Sequence, residues 1–500
     1  MSAASCCCRQ HPGPEPMDLD DYAAQDGLGL AGLIADGEVS AEEVTRAAMA
    51  AIAAVDPALG AVVETYDDAA GNAAAGRLGE GPFRGVPFLI KDVGQHFAGR
   101  RSESASRLAR GLVVEKDSNF AALVRASGVN LVGRSNTPEF SMALCAENLL
   151  HGNTTTPWKP GHSTSGSSGG AAAAVAAGLV PLAHGSDMGG SIRGPAAWCG
   201  TIGLYPSRGR VSSGPALGEG GWGMTQAFVQ SRTIRDTAAM LDCLGRPMPG
   251  DPFVVWRPED SWSRLLHLPG PRLNIAFWTR PLMDAPVDPE IAAAVEATAR
   301  LLADMGHHVE EAAPGIDMAQ MDRLCLDIWY RGFDVTLDAL AARMGRSVGP
   351  DTVEKATLKF YHFARERSAE AMLAALADLN VPRRVMGSFF ARHDLWLTPT
   401  AAQVSQPWGS FGMNLDLEPL DFLVHEQRPA QFMVPYNITG QPAISLPLAM
   451  HTNGLPIGLQ LGARHGEEHL LLQVGAALEE AMPWQDRIPD IHVFHRTRQG

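Results

Sequence analysis

The sequence predicts an α/β fold, in which one large domain holds a central mixed sheet flanked by helices. Short apolar runs that are typical of buried strands alternate with longer segments of helical periodicity. The chain has 500 residues, 45% of them hydrophobic, so it can bury a large core. Neither an internal repeat nor an interior linker divides it. We therefore expect a single domain that extends from residue 17 to residue 490.

The first predicted element is a helical region between residues 18 and 57. Ser40 and Glu43 have the spacing of a capping box, in which each side chain binds the other residue's backbone N–H group at the start of a helix. The run 44–55 continues the helical pattern. Pro57 is expected to end the helix, because proline lacks the N–H donor that a helix interior needs.

The later elements continue the alternation of strands and helices. Apolar runs with strand character occupy residues 86–90, 128–133, 181–184, 395–400, 443–447 and 457–461. Helical patterns occupy residues 119–127, an alanine-rich stretch that ends near residue 178, and residues 289–305, 318–379 and 467–482. The first of these strands ends at Lys91, so it places an amino group at the carboxyl end of a buried strand.

The composition favours a small or neutral molecule as the partner. The formal net charge is −15, and no run of Lys or Arg supplies the basic surface that nucleic-acid binding requires. No apolar stretch reaches the ~18–20 residues needed to cross a bilayer, and the N-terminus lacks the apolar core of a signal peptide. The seven cysteines are odd in number and the last four are scattered, which argues against a disulfide framework. We expect a cytoplasmic protein without a nucleic-acid or membrane partner.

The two ends of the chain are expected to lie outside the domain. Cys6–Cys8 and His11 could bind a metal or carry palmitate, but the proline- and glycine-rich composition around them favours a disordered N-terminal extension over residues 1–16. Residues 491–500 are assigned to a C-terminal tail. Outside the extension we find neither a His-Glu-x-x-His motif nor cysteine pairs with zinc-ligand spacing, so no metal and no cofactor is expected.

A run of glycine and serine at residues 161–170 is a candidate for chemistry. Eight of its ten residues are Gly or Ser, as in a flexible linker, but it leads directly into an alanine-rich helix and so belongs to the domain. It contains the string Gly-x-Ser-x-Gly centred on Ser168, but a nucleophile elbow needs an apolar strand before that string, and residues 161–165 cannot form one. No Gly-Lys-Ser/Thr follows, which excludes a phosphate-binding loop. The sixteen histidines leave a Ser-His-Asp triad open by number alone.

Three segments taken together carry the main functional signal. In chain order they are the apolar run that ends at Lys91, the run 166–170, and the glycine cluster 185–193 that contains Ser191. In this order they resemble the amidase-signature family of serine hydrolases. Further motifs of the same family are similar to residues 134–139, 231–236, 394–400 and 437–443. The resemblance thus covers roughly residues 27 to 485.

The resemblance implies a catalytic triad with Ser191 as the nucleophile, Ser167 as the bridging serine and Lys91 as the general base. In the family the peptide bond before the bridging serine is cis. A serine hydroxyl becomes a useful nucleophile only when a base removes its proton. Lysine can do so near neutral pH if its pKa falls from ~10.4 to about 7–8. The apolar strand 86–90 would favour such a shift.

The glycine pair before the nucleophile is expected to help bind the negative charge that develops on the substrate oxygen. The candidate backbone donors of this oxyanion hole are Met188, Gly189, Gly190 and Ser191. Three further side chains are expected to support the triad from outside the reacting atoms: Ser168, Asp187 and Arg193. The hydroxyl of Ser168 would bind loop backbone, and the other two resemble family positions that brace the nucleophile loop.

The C-terminal run 432–442 and the helix after it resemble the nylon-oligomer hydrolase branch, whose pattern aryl acylamidases and urethanases share. The resemblance implies a small neutral amide, anilide or carbamate as substrate, with esterase activity as a further expectation and a homodimer left open. The pocket is expected to be lined by the variable segments 145–151, 212–227 and 318–379. Residues 214–223 are glycine-rich and are predicted to form a mobile loop over the site.

Two other functions are weaker. One is the amidase subunit of a tRNA-dependent glutamine amidotransferase, which would work only inside a larger assembly; the C-terminal run is more similar to that of a free-standing hydrolase. The other is a catalytically silent binding protein on the same scaffold, which the retained Lys91, Ser167 and Ser191 argue against. Phe228 stands where relatives commonly have glycine, and this departure leaves the local path of the chain open.

Overall fold

A large sheet runs through the centre of the molecule in the computed structural model, which describes residues 17–495. In that range eleven strands form the main sheet, and two short strands form a separate hairpin. In chain order the strands are β1 (Val62–Thr65), β2 (Pro87–Lys91), β3 (Asn130–Ser135), β4 (Glu147–Asn148), β5 (Gly152–Asn153), β6 (Leu182–Asp187), β7 (Ile202–Tyr205), β8 (Gln226–Ser231), β9 (Asn274–Phe277), β10 (His308–Glu311), β11 (Leu395–Pro399), β12 (Ala443–Met450) and β13 (Pro456–Ala463).

The main sheet is mixed. Its order is β1-β3-β2-β6-β8-β7-β12-β13-β11-β9-β10, and β4 pairs only with β5. The neighbours β3, β2 and β6 are parallel, and so are β11, β9 and β10, whereas the remaining pairs are antiparallel. This sheet, with helices packed against its strands, confirms the predicted fold class.

The helices of residues 17–495 separate or flank the strands. They are α1 (Leu19–Ala24), α2 (Gly27–Ala35), α3 (Ala41–Leu59), α4 (Ala69–Ala74), α5 (Asn119–Ala126), α6 (Gly169–Ala176), α7 (Arg193–Cys199), α8 (Ile234–Leu244), α9 (Trp262–Leu265), α10 (Pro289–Asp304), α11 (Met318–Trp329), α12 (Phe333–Met344), α13 (Lys355–Glu366), α14 (Ala369–Asp378), α15 (Asn380–Phe390), α16 (Pro419–Ala430), α17 (Val434–Thr439) and α18 (Glu468–Ala481). The helical region expected at 318–379 is therefore four helices, α11 to α14.

Helix α3 begins as the sequence predicts and ends differently. The Glu43 N–H group donates to Ser40 Oγ at 3.1 Å, and the Ser40 N–H group donates to the Glu43 carboxylate at 2.7 Å, which completes the capping box. The prediction that Pro57 ends the helix is wrong, because the helix continues to Leu59. Gly60 ends it instead with a left-handed φ of 68°, a conformation that costs glycine little.

Strands β2 and β6 position the residues that the sequence marks for chemistry. They are parallel neighbours in the sheet, so their carboxyl ends lie at the same edge. Lys91 is the last residue of β2 and Asp187 is the last residue of β6. In open α/β sheets, ligands bind outside the carboxyl ends of the strands.

The glycine–serine run is tightly packed and leads into the buried helix α6. A Cβ atom added to Gly169 would lie 2.0 Å from Thr164 Oγ1, and one added to Gly170 would lie 2.5 Å from the backbone nitrogen of Asn136. Every residue of α6 is buried. The glycines are thus required by close approach of other chain segments, which is why this run is part of the domain rather than a linker.

The carboxyl end of the described chain packs against the body of the protein. The N–H groups of Ile491 and Val493 donate to the carbonyl oxygens of Pro157 (3.0 Å) and Ala177 (3.1 Å), so residues just past the predicted boundary at 490 are bound. The predicted extension over residues 1–16, with its cysteines, lies outside the described residues. Between residues 17 and 495, no helix combines the length and the apolar character that crossing a membrane requires.

Candidate active site

The side chain of Lys91 lies in a shell of serine hydroxyls. Its Nζ atom donates to Ser167 Oγ at 2.7 Å, to Ser168 Oγ at 3.0 Å and to Ser186 Oγ at 3.0 Å. Only 1% of the residue is exposed. Each of these partners is an uncharged hydroxyl, so none of them offsets a charge on the amine as a carboxylate would.

Burial sets the protonation state of Lys91. Removing an ammonium group from water disfavours its charged form, and this lowers the pKa of Lys91 to about 7, although the negative charge of Asp187 opposes the shift. A pKa of about 7 lies at the lower end of the range of about 7–8 in which a lysine can act as a base near neutral pH. A substantial fraction of Lys91 is therefore neutral near pH 7 and can accept a proton.

Ser168 holds the loop that precedes α6 against β6. The Gly166–Ser167 peptide bond is cis. The hydroxyl of Ser168 donates to the Ser186 carbonyl at 3.2 Å and accepts from the Ser186 N–H group at 3.1 Å, the backbone-binding role expected of it. The Ser168 N–H group also donates to the Ser191 carbonyl at 3.1 Å. These bonds place the segment of Ser167 directly beside that of Ser191.

The turn that carries Ser191 is built around the carboxylate of Asp187. The N–H groups of Gly190 and Ile192 donate to this carboxylate at 2.8 and 3.2 Å. Gly190 was expected to be an oxyanion-hole donor, but in this arrangement its N–H group is already bound to Asp187, and we correct that assignment. Among residues 17–495 no acceptor is found for the N–H groups of Met188, Gly189 and Ser191.

A buried ion pair fixes Asp187 in turn. Arg193 Nε and Nη2 donate to the two carboxylate oxygens of Asp187 at 2.9 and 3.1 Å, and Asn437 bridges both partners at 2.8 and 2.7 Å. Burial favours a protonated carboxyl, but the Arg193 guanidinium holds the pKa of Asp187 below its usual range. Arg193 also donates to the Met433 carbonyl and to Gln460 Oε1, both at 2.9 Å. Asp187 and Arg193 therefore brace the turn that carries Ser191.

The histidine nearest to Lys91 is not placed as a general base. His184 is fully buried in β6, and its Nδ1 atom accepts from the Lys91 backbone N–H group at 3.2 Å. Burial, with the charge of Lys91, lowers the pKa of His184 to about 3, so the ring stays neutral. No histidine is among the described residues that line the cavity. These facts favour lysine over a Ser-His-Asp arrangement.

A cavity of about 350 Å³ opens beside Ser167 and Ser191, a volume typical of small-molecule sites. Most of its wall is apolar or carries uncharged polar groups. The lining residues are 93–95, 140–144, Ser167, Ser186, 188–189, Ser191, Ser213, Leu217, 220–221, Thr225, Ala227, 329–330, Phe333, 422–423, 426–427, Ala430 and Val434. Among the described lining residues, Glu426 is the one acidic side chain, and none is basic.

The predicted wall segments agree with this lining only in part. Segment 212–227 lines the cavity, and segment 318–379 does so through three aromatic residues. Segment 145–151 does not; the residues just before it, 140–144, take its place. Helix α16 was missed. Its signal is a stripe of apolar residues at helical spacing in which two positions are polar, Glu426 and Gln427. Phe228, the departure from the family pattern, is a buried residue of β8.

A second cluster of ionisable groups lies at the carboxyl end of β2, where Asp92 follows Lys91. Ligand atoms of Asp92, Glu103 and His151 lie within 4.8 Å of one another, a grouping that the sequence did not indicate. Arg134 donates to both carboxylates, at 2.7 Å for Glu103. The guanidinium thus supplies the positive charge that a metal would otherwise provide, and the cluster joins β2 to β3 as a structural ion-pair network.

The family follows from comparison with known proteins. The sequence profile of the family described as Amidase matches residues 43–472. The chain therefore belongs to the amidase-signature family, and it is an enzyme of the C–N bond hydrolase class.

Individual relatives narrow the position within that family. A 6-aminohexanoate-cyclic-dimer hydrolase of Paenarthrobacter ureafaciens is 35% identical over 481 residues, which is 93% of this chain and 97% of the relative. An acylamidase of Rhodococcus erythropolis is 32% identical over 92% of this chain and 96% of its own. A solved structure of 6-aminohexanoate cyclic dimer hydrolase complexed with substrate matches with a TM-score of 0.88 and 34% identity, over 94% of this chain and 99% of that one.

Proposed function

We propose that the protein hydrolyses small neutral amides, anilides and carbamates through an acyl-enzyme on Ser191, with Ser167 as the proton relay and Lys91 as the base. The observation that carries the proposal is the buried amine of Lys91, which is bound to Ser167 Oγ at 2.7 Å and shares an edge of the sheet with the Ser191 turn. A buried lysine with a depressed pKa is suited to general-base catalysis near neutral pH.

The first half of the reaction forms the acyl-enzyme. Ser167 passes its hydroxyl proton to the neutral amine of Lys91 and takes the proton of Ser191. The Ser191 oxygen attacks the substrate carbonyl carbon, and a tetrahedral intermediate forms. The C–N bond then breaks, and the departing nitrogen receives a proton from Lys91 through Ser167. The amine leaves, and the acyl group stays on Ser191 as an ester.

The second half restores the enzyme. Water gives a proton to Lys91 by the same relay and attacks the ester carbonyl carbon. When the new intermediate collapses, the Ser191 oxygen regains a proton and the carboxylic acid is released. The same chemistry acts on activated esters, because the ester and amide routes share the attacking atom.

The charge on the tetrahedral oxygen requires backbone donors. In our proposal these are the N–H groups of Met188, Gly189 and Ser191, which have no acceptor among the described residues. One such donor contributes about 2.7–4 kcal/mol to transition-state stabilisation. The Gly190 N–H group binds Asp187 instead and keeps the turn in shape.

The cavity supports a neutral substrate. Its described lining includes no Arg or Lys side chain that would bind a carboxylate, and aromatic residues such as Trp329 and Phe333 supply apolar area. Free glutamine carries an α-carboxylate, so this lining disfavours the glutamine amidotransferase alternative. The names of the relatives, a cyclic amide-dimer hydrolase and an acylamidase, agree with neutral amide substrates.

Covalent labelling combined with a substrate screen tests the proposal. A fluorophosphonate should modify one peptide, the one that contains Ser191, and Ser191→Ala should abolish both labelling and turnover. Ser213→Ala changes another serine of the same cavity wall and should retain labelling. The purified protein is offered acetanilide, an aliphatic oligoamide, a carbamate and an ester. Labelling that survives Ser191→Ala would refute the assignment of the nucleophile.

A further inference from the structure

Helix α16 brings two polar side chains into the wall of the cavity. Glu426 and Gln427 both line the cavity, and their exposed fractions are 7% and 2%. Phe422, Leu423 and Ala430 lie on the same helix face and are apolar. A carboxyl and a carboxamide group thus lie side by side among apolar neighbours.

These two side chains are not satisfied by the protein. Glu426 Oε2 accepts from the Leu144 N–H group, and the Gly412 N–H group also lies close enough to lower the pKa of this carboxyl, but Oε1 makes no hydrogen bond of good geometry among the described residues. The same holds for Oε1 and Nε2 of Gln427, whose polar neighbour is the thiol of Cys325, a weak hydrogen-bonding group. Buried polar groups are almost always paired, and those that are not need an explanation.

The contact with Leu144 ties this polar pair to the catalytic loop. The neighbours of Leu144, Ala143 and Cys145, present backbone atoms to Gly166, where an added Cβ would lie 2.1–2.5 Å from them. Gly166 precedes Ser167, the proposed relay. The polar pair and the reacting serines are therefore parts of one continuous wall, and one substrate can reach both.

We propose that Glu426 and Gln427 bind a second, non-scissile amide group of the substrate. The inference rests on the proposed function and narrows its substrate class to molecules that carry two amide-type groups. An amide presents one acceptor and one donor. The unpaired atoms of the pair are enclosed at the cavity wall. A rotation of the two side chains toward the cavity presents a donor and an acceptor to that amide, and the unpaired atoms then gain partners.

The charge state of Glu426 distinguishes an amide from other polar ligands. Burial, with a smaller contribution from Glu147, raises the pKa of Glu426 to about 8, so near pH 7 the group is mainly a neutral acid that can donate its O–H. An ammonium group would require the ionised carboxylate, which burial disfavours. A substrate carboxylate would require a cation, and none lies in the described lining.

Two matched pairs of substrates test the inference. In one pair the second amide lies in the acyl part of an anilide, and in the other it lies in the amine part; each is compared with an alkyl chain of equal length. The measured quantity is the ratio of kcat/KM for the diamide to that for its alkyl partner. We expect this ratio to exceed one in at least one pair, and to fall about three- to tenfold in Gln427→Met and in Glu426→Met. Glu426→Gln should keep most of the preference, because a carboxamide also donates and accepts.

The control is Leu423→Met, which changes the same wall without altering its hydrogen-bonding groups and should leave the ratio where it was. Circular dichroism melting identifies any variant that fails to fold. If a Glu426 variant does not fold, the ratio measured for Gln427→Met decides the test. A wild-type ratio of one in both pairs, or equal ratios in all variants, overturns the inference while labelling at Ser191 still supports the proposed function. Loss of preference in Glu426→Gln as complete as in Glu426→Met also overturns it, because charge recognition would then be involved. Absence of both turnover and labelling refutes the proposed function itself.

Discussion

The Nζ atom of Lys91 lies 2.7 Å from the Oγ atom of Ser167, although 76 positions separate the two residues in the chain. The contact forms because β2 and β6 are parallel neighbours and because the loop before α6 is tied to β6 through Ser168. An amine at the end of an apolar strand becomes useful to a serine only when that loop covers it.

Replacing Lys91 tests the base. Lys91→Met keeps the length and the apolar stem but has no proton acceptor, so kcat/KM should fall by about 10²–10⁴-fold, the usual contribution of a general base. Lys91→Arg should fail almost as badly, because guanidinium does not lose its charge at useful pH. Steady-state kinetics on an anilide measure both.

The double variant Lys91→Ala/Ser167→Ala tests whether the two residues act as a unit. It should lose less than the sum of the two single losses in free energy. Additive losses would mean that Lys91 serves structure alone.

The pH dependence of turnover should report the same group. Only neutral Lys91 accepts a proton, so kcat/KM should rise with pH, bend near pH 7 and reach a plateau above it, in line with a pKa of about 7. The measurement is a pH–rate profile with a monoamide substrate. Glu426→Gln removes the ionisable carboxyl group of the cavity wall and should keep the same acidic limb. A profile that is flat between pH 5 and 9 would exclude Lys91 as the base.

The lowered pKa of Lys91 should also make the stability of the folded protein depend on pH. The unfolded chain binds a proton at Lys91 up to a pKa of about 10.5, whereas the folded protein releases it at about 7. Between these values the unfolded state holds more protons, so this residue makes the free energy of unfolding rise with pH, by up to about 1.4 kcal/mol per pH unit. Urea unfolding from pH 7 to 10 should therefore show a steeper rise for the wild type than for Lys91→Met. Parallel curves would contradict the shift.

The Asp187–Arg193 pair should be costly to break. Arg193→Ala leaves a buried carboxylate without its cation, and removing one partner of such a pair costs about 3–5 kcal/mol. The turn of Ser191 should loosen as well, so activity falls together with stability. Denaturant unfolding gives the loss. Arg46→Ala breaks an ion pair that is largely exposed to solvent, Arg46–Glu42, and should cost about 0–1 kcal/mol; equal losses in the two variants would mean that burial plays no part.

Glycine is required at position 190 both by its backbone conformation and by the lack of room for a side chain. Its φ is 117°, and a Cβ there would lie 2.8 Å from Met433 Sδ, a buried side chain. Gly190→Ala should therefore shift the turn and lower kcat/KM, in addition to about 1–3 kcal/mol of backbone strain. Gly306 has a φ of 97° with nothing within 4 Å of an added Cβ. Gly306→Ala should show strain in thermal unfolding but normal kinetics, and the same kinetic loss in both would refute the role of the turn.

The sequence was sufficient for the parts of this site that depend on local order along the chain. Lys91 at the end of an apolar strand and Ser191 after a glycine pair could be recognised because short motifs specify them. Glu426 could not, since its place in the cavity depends on α16 packing beside residues nearly three hundred positions earlier, as the Leu144 contact shows. The use of the Gly190 N–H group depends on which way the Asp187 side chain turns, and no motif records that. Pro57 was misplaced because it removes only one N–H donor from the last turn, and the helix is closed beyond it by the Gly60 N–H group, which donates to the Asp56 carbonyl at 2.7 Å.

The burial of Lys91 has a consequence for the newly made chain. Until the segment with Ser167 and Ser186 covers it, this lysine is an ordinary solvated cation that cannot take a proton at neutral pH. The neutral amine that can accept a proton near pH 7 therefore appears together with native packing, and a partly folded molecule is chemically inert on the proposed route. Stoichiometric capture of a serine-directed inhibitor would then count correctly folded molecules in a preparation, which no measure of total protein can do.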